Sequence, residues 1–456
     1  MTSPPIHRWR AFSLLAIAAF MTVMDLTIVN TALPTIGREL HFSQTSLLWV
    51  VTAYGLAYGG FLLLGGRAAD LLGRRRMIIA GLAVFTAASL GASLAGSEAV
   101  LIATRAVQGL GAAVFLPAAL STIRNMFTEG AERNKALGIW GGLAALGATA
   151  GVVFGGILTR FAGWQYVFWL NVPVGVVALL LVRRVVPETR VEVARRRYDP
   201  LGAVTVTGAL VLLAYAIAQA PRVGWGAGRT IAELTIAAAL LGAFVAIESR
   251  GEAPLMPLRI FRLQTLAGAN AVGFLLGASF YSFIFIGTLY MQQVLGFSAL
   301  QGGFAWASAG LTSMLFAGVS QMLVTKGSAK LVMAFGMTCV GVGILWTINA
   351  PVHGHFWANL FGPFVVAVGM GSAFAFIPVS IAALAGVAEQ EAGVASGLIY
   401  TTQELGGALG IAIRTASLPA SAAPSEAAVK TASPATITRR RPSRSAARPP
   451  SSRKPP

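Results

Sequence analysis

Gly66-Arg67-Ala68-Ala69-Asp70-Leu71-Leu72-Gly73-Arg74-Arg75-Arg76 is the stretch that decides how this chain reads. It separates two apolar blocks, 47–66 and 77–95. Each is close to the ~20 residues that cross a ~30 Å hydrocarbon core at about 1.5 Å per residue. Glycine lets backbones turn tightly or approach closely, and a carboxylate among arginines can form an ion pair that makes and breaks at a membrane face. A basic loop between two spanning helices explains the arginines by itself. It does not explain the spacing G-x-x-x-D-x-x-G-R-R.

The remainder of the chain has the same character. Of its 456 residues 56% are hydrophobic and 11% charged, where a soluble domain carries about 25% charged residues to wet its surface. Apolar blocks predict spanning helices over 12–33, 47–66, 77–95, 99–122, 136–158, 166–182, 201–219, 231–248, 267–290, 303–325, 331–349, 356–378 and 392–413. That makes an all-α membrane protein with thirteen spans, for which lipid is the main solvent. The first block is too long for a signal peptide and is followed by many like it, so it is expected to remain as a spanning helix.

Charge sets the expected orientation. A net charge of +18 raises the question of a nucleic-acid partner, but the basic residues lie in short loops and in the tail, which excludes one. Loops on the side of the N-terminus hold twenty Lys and Arg residues, and the other side only Arg38, Arg160, Arg222 and Arg229. Positive loops face the cytoplasm, so the N-terminus is expected inside. The single cysteine, Cys339, excludes disulfides and cysteine–zinc sites. From about Arg414 the sequence turns to Pro, Ser, Ala and Arg, a composition that cannot build a core and is expected to be disordered. Thirteen spans would place this basic tail outside, against the charge rule. One reading is a natural regulatory tail. The preferred one is loss of a fourteenth helix through a frame change, which explains both the odd count and the misplaced charge.

Three spans carry groups that do not belong in lipid. Helix 1 contains Met24-Asp25-Leu26-Thr27-Ile28-Val29-Asn30-Thr31-Ala32-Leu33-Pro34, and helix 4 contains Arg105-Ala106-Val107-Gln108-Gly109-Leu110-Gly111. An ionisable side chain inside a spanning helix is costly and marks a candidate functional site. Counting along the helices puts Asp25 ~12 Å and Arg105 ~9 Å below the outer surface. They share a level, which predicts a pair or relay; a purely structural buried ion pair is the alternative. Glu404 lies ~18 Å from the inner end of the last span, near the midplane. A coupling role and a structural glutamate, protonated or facing water, both fit it. In helix 5, Gly147, Gly151 and Gly155 fall on one face, with Gly156 adjacent, which predicts close packing against another helix. Asn30, Tyr54, Gln108, Tyr281 and Tyr290 are the candidates for a substrate cavity. His353 and His355 stand in a short outer loop without acids or cysteines nearby and are not expected to hold a metal.

The loop after helix 2 resembles the signature loop of the major facilitator superfamily, with Ala68 and Leu71 at positions usually occupied by leucine and often by a basic residue. The helix 1 string resembles the L-D-x-T-I-V-N-x-A-L-P signature of the fourteen-helix drug:proton antiporters. The helix 4 string is similar to their R-x-x-Q-G-x-G motif, and Gly163-Trp164-Gln165-Tyr166-Val167-Phe168-Trp169-Leu170-Asn171-Val172-Pro173 to their segment G-W-R-W-x-F-x-I-N-V-P. The helix 5 glycines stand where the antiporter motif G-x-x-x-G-P-x-x-G-G belongs, with Val152 in place of its proline. The resemblance implies a major facilitator fold of two six-helix lobes with two extra central helices. Residues 1–182 would be the first lobe, 183–199 a cytoplasmic link, 200–250 the inserted pair, 251–413 the second lobe without its last helix, and 414–456 the tail. It also implies that Gly66, Arg67, Asp70, Gly73, Arg74 and Arg75 form a gate latch and that Arg105 serves proton transfer; Asp25 joins the coupling residues from its shared depth and Glu404 from its burial alone.

The expected function is a secondary transporter in the cell membrane. It would be a monomer that exports small hydrophobic or cationic compounds such as drugs. The chain has no G-x-x-x-x-G-K-[ST] phosphate loop, so an ion gradient, with no cofactor, is the expected energy source. The alternatives are an exporter or symporter of a single metabolite, a truncated chain without transport activity, or a membrane-bound enzyme. The last lacks the loop cluster of acids, histidines or metal ligands that it would need.

Overall fold

The computed structural model describes residues 5–417, except 43, 48, 129, 189–198, 252–253, 298 and 350–355. Every span expected from the apolar blocks is a helix: α1 (Pro5–Glu39), α2 (Trp49–Leu72), α3 (Arg74–Ser93), α4 (Glu98–Met126), α5 (Ala131–Phe161) and α6 (Gln165–Val185). They continue with α7 (Pro200–Val223), α8 (Gly228–Arg250), α9 (Gln264–Leu289), α10 (Ala299–Lys326), α11 (Ala329–Trp346), α12 (356–384) and α13 (Ala392–Ser417). Among the described residues, eleven helices are long and apolar enough to cross a membrane. The two beyond these are α5 and α13; charged residues stand near both ends of α5, and Thr401, Thr402, Gln403 and Glu404 interrupt the apolar run of α13. Helices are the form this composition must take in lipid, where each backbone N–H and C=O needs a partner within its own segment.

Two helices depart from a regular α-helix. The end of α9 widens into a π-turn at Tyr290–Val294, and α12 contains two π segments, Phe356–Leu360 and Val365–Met370. Each wide turn accommodates an extra residue, and hydropathy carries no sign of it. The tail from residue 418 and the pair His353 and His355 lie outside the described residues.

Small residues set the packing. No hydrophobic gain drives helix association in a bilayer, so helices associate where small side chains let backbones touch. The α2–α4 and α3–α4 interfaces meet this way: a methyl on Gly81 would lie 2.7 Å from Phe115 N, and one on Gly109 would overlap Tyr54 O. Helix α5 packs against α1 on one side and α10 and α12 on another, while α7 pairs with α8 and leans on α2. Large apolar side chains such as Leu180, Leu201, Leu315 and Leu331 point outward, as expected of surfaces that face acyl chains.

Candidate functional site

Helix α1 carries one carboxylate into the bundle, and its neighbours supply the donors. Asp25 is fully buried. Its Oδ2 accepts from Arg105 Nη1 at 2.5 Å, and its Oδ1 accepts from Gln108 Nε2 at 2.9 Å and Asn171 Nδ2 at 2.6 Å. Arg105 also donates from Nε to the Val50 carbonyl at 2.9 Å and from Nη1 to Gln108 Oε1 at 2.6 Å. Its guanidinium lies 4.3 Å from the ring centroid of Tyr54 and 5.7 Å from that of Phe168. Gln108 donates on to Ser89 Oγ at 2.8 Å. Removing an ion pair from water costs several kcal/mol per ion, and such a pair persists only when the remaining lone pairs and protons are satisfied. Here both Asp25 oxygens and the Arg105 Nε and Nη1 groups have partners, from side chains of α4 and α6 and a carbonyl of α2.

The glycines of α5 hold α1 in place behind this network. A methyl on Gly151 would overlap Thr27 Oγ1 and lie 2.6 Å from Met24 O; one on Gly155 would overlap Thr31 Oγ1; one on Gly147 would lie 3.0 Å from Val23. The three therefore form the contact face that their spacing predicts. Gly156 is half-buried beside it.

The signature loop closes the basic end of the bundle. Gly73 turns the chain from α2 into α3 at φ 103°, a left-handed conformation that side chains disfavour. Gly66 and Gly393 bring α2 and α13 into backbone contact, since a methyl on either would overlap the other's carbonyl oxygen. One turn on, the buried Asp70 caps the start of α13. Its carboxylate accepts from Gly393 N at 3.1 and 3.0 Å and from Val394 N at 3.2 Å, where the helix dipole favours negative charge. Arg74, also buried, spans both sides through Asp70 Oδ1 at 3.1 Å and the Glu389 carbonyl at 2.5 Å. Arg67 donates to the Pro254 carbonyl at 2.8 Å, and Arg75 pairs with Glu188 at 3.4 Å. Arg124, which sequence reasoning passed over, donates to the Leu384 and Val387 carbonyls.

Glu404 lies apart from Asp25. Its Oε1 accepts from Tyr281 Oη at 3.2 Å, and it faces Gly59 of α2. A turn away, Tyr400 accepts from Trp140 Nε1 at 2.7 Å. Tyr400 and Trp140 line a small cleft of about 40 Å³ together with Phe376, Ser380 and Gln403. Of the residues expected at a cavity, Tyr281 bonds Glu404, while Tyr54, against the Arg105 guanidinium, and Gln108 belong to the Asp25 network. Asn30 is exposed, with its amide turned to the Leu26 carbonyl, and Tyr290 stands in the π-turn after α9. Ser89, Phe168 and Asn171 were not anticipated as network members. Asn171 carried a signal, an amide side chain inside an apolar helix.

The family model described as Major Facilitator Superfamily matches residues 15–411. The chain is 38% identical to the cephamycin export protein CmcT of Amycolatopsis lactamdurans, covering 88% of this chain and 83% of that protein. It is 35% identical to the puromycin resistance protein pur8 of Streptomyces alboniger, over 92% of this chain and 84% of that one. Among solved structures, the human organic anion transporter MFSD10 (TETRAN) superposes with a TM-score of 0.65 at 17% identity, covering 91% of this chain and 94% of that one. That likeness concerns the fold alone.

Proposed function

The chain belongs to the major facilitator superfamily, and from that membership we propose that it is a proton-coupled secondary transporter exporting small hydrophobic or cationic compounds, drugs or antibiotics among them, across the cell membrane. It is a multi-pass membrane transporter of small molecules rather than an enzyme. The observation that carries the coupled reading is the buried Asp25–Arg105 network: a carboxylate inside the bundle is held by Arg105, Gln108 and Asn171, and an ionisable group at that depth marks a functional site. Two lobes, α1–α6 and α9–α13, would rock about the cleft, with α7 and α8 carried between them. The basic end would face the cytoplasm with the N-terminus, and the latch of Asp70 and Arg74 on α13 would hold that end shut. The chain would work as a monomer.

The reading is tested by loading cells that express the chain with a fluorescent cation and following efflux with and without a protonophore. Efflux that stops when the proton gradient is collapsed is expected; efflux indifferent to it refutes proton coupling. A second reading, a dedicated exporter of one antibiotic, is favoured by the two relatives above, each named for a single compound. A panel of unrelated dyes separates the two.

A further inference from the structure

The segment between α8 and α9, residues 251–263, is tied to three parts of the bundle. Pro254 and Pro257 have no N–H to give, so Leu255 and Met256 between them offer two consecutive donors. Glu248, buried in the last turn of α8, takes both: its Oε1 accepts from Leu255 N and its Oε2 from Met256 N, each at 3.1 Å. Gly202 of α7 leaves room for that carboxylate, since a methyl there would stand 2.8 Å from Glu248 Oε1. The side chains of Leu255, Met256 and Ile260 are buried in an apolar core that includes Leu62 of α2, Leu210 of α7 and Val394 of α13.

The same segment reaches both sides of the gate latch. The Pro254 carbonyl accepts from Arg67 Nη2 at 2.8 Å, and Arg67 stands three positions before Asp70 on α2, on the same helix face. Further on, Arg259 Nη2 donates to Glu391 Oε1 at 2.8 Å, two positions before the Gly393 N–H that Asp70 accepts. Arg259 is 74% exposed, so that pair contributes little; the Arg67 contact is partly buried and charge-assisted, and is the stronger of the two. Pro254 O and Leu255 N belong to one peptide group, which is planar and aims them in opposite directions. Glu248 and Arg67 therefore hold the two ends of a single peptide dipole, carboxylate at the N–H and guanidinium at the carbonyl, and each bond polarises the other. A carbonyl on a free chain would have to be ordered each time Arg67 met it, at a cost in entropy; the carboxylate keeps this one in place.

We propose that Glu248 is a positioning residue of the gate: through the 254–255 peptide it holds Arg67, and with it the end of α2 that carries Asp70, in the closed arrangement. The assignment rests on the latch reading and deepens it. The segment leads directly into α9 and pairs with Glu391, so the Arg67–Pro254 bond crosses from the first lobe to the side of the second. Opening the basic end then requires Arg67 to leave Pro254 as well as Asp70 to leave α13, and the inserted pair α7–α8 takes part in gating.

The test is the spin-label distance between Arg76→Cys and Ala388→Cys, exposed positions on the two sides of the gate, in the full-length chain with Cys339→Ser. Glu248→Gln keeps the shape but can accept only one of the two N–H groups. It is expected to raise the long-distance population roughly 5- to 20-fold, part of the worth of a charged hydrogen bond. Arg67→Gln is expected to do the same, and the double variant should open no further than the stronger single one, because both act on one peptide. Glu248→Asp, shorter by one methylene, should fall between wild type and Glu248→Gln; it stands in if the glutamine variant does not fold. A lower Tm with the distance unchanged in a folded Glu248 variant overturns the proposal. So do additive shifts in the double variant, which mark a role that does not run through Arg67. Asp70→Asn in the same background separates the two readings. If it opens the gate and the Glu248 variants do not, the latch stands and the positioning role falls. If Glu248→Gln opens the gate and Asp70→Asn does not, the positioning role stands and the latch of Asp70 fails; if neither opens it, both fall.

Discussion

Replacing Asp70 by asparagine separates what holds the basic end shut from what binds cargo. The carboxylate accepts two backbone N–H groups at the first turn of α13 and the Arg74 guanidinium. An amide oxygen can still accept from Gly393, so only part of the cap is lost, about 1 kcal/mol with its share of the helix dipole. The greater loss falls on Arg74, whose side chain is 1% exposed. Losing its buried partner would cost about 3–5 kcal/mol for an isolated pair. Arg74 keeps the Glu389 carbonyl at 2.5 Å and the Glu389 carboxylate at 3.8 Å, so we expect a loss below that range, about 1–2 kcal/mol. Together the closed latch should lose about 2–3 kcal/mol, a roughly 30- to 150-fold shift toward the open form at about 1.4 kcal/mol per decade. Spin labels at Arg76→Cys and Ala388→Cys, both exposed positions, with Cys339→Ser to remove the native thiol, report the separation of the two sides. Wild type should show one short distance and Asp70→Asn a second, longer one, with slower turnover and unchanged equilibrium binding of ethidium. A single short distance in the variant, or normal turnover with weakened binding, refutes the latch.

Asp25→Asn should abolish gradient-driven efflux while leaving the protein in the membrane, because the amide cannot release a proton; protonophore-sensitive efflux in that variant would contradict the coupling role. Arg105→Lys should fare little better than Arg105→Ala in the same assay, since a point charge cannot reach Val50 O, Asp25 and Gln108 together while lying flat over Tyr54; full transport with lysine would show that only charge matters. Gly151→Ala should cost about 1–3 kcal/mol by forcing α1 from α5, seen as a lower Tm. Gly142→Ala is its control: the added methyl meets only Ala317 Cβ at 3.8 Å, and equal loss in both would place the strain elsewhere.

The spans and their order were legible from residue order alone, because lipid leaves the backbone no form but a helix of about 20 apolar residues. Asp25, Arg105 and the signature loop were legible because charge in lipid is costly and an acid among arginines at that spacing is specific; the helix 5 glycines were legible from a spacing of four, which lines them up on one face. The rotation of each helix was not. A spanning helix is apolar on its buried and lipid-facing sides alike, so no periodic stripe says which residues meet. That Asn171 completes the bonding of Asp25, that Asp70 caps a helix beginning 322 positions later at Ala392, and that Glu404 stands among tyrosines of α2, α9 and α13 were decided by tertiary packing. The same holds for the π-turns of α9 and α12, where an extra residue enters a turn with no change in hydropathy. Composition chose the solvent and hence the helices; only close contact between small residues far apart in sequence chose their partners.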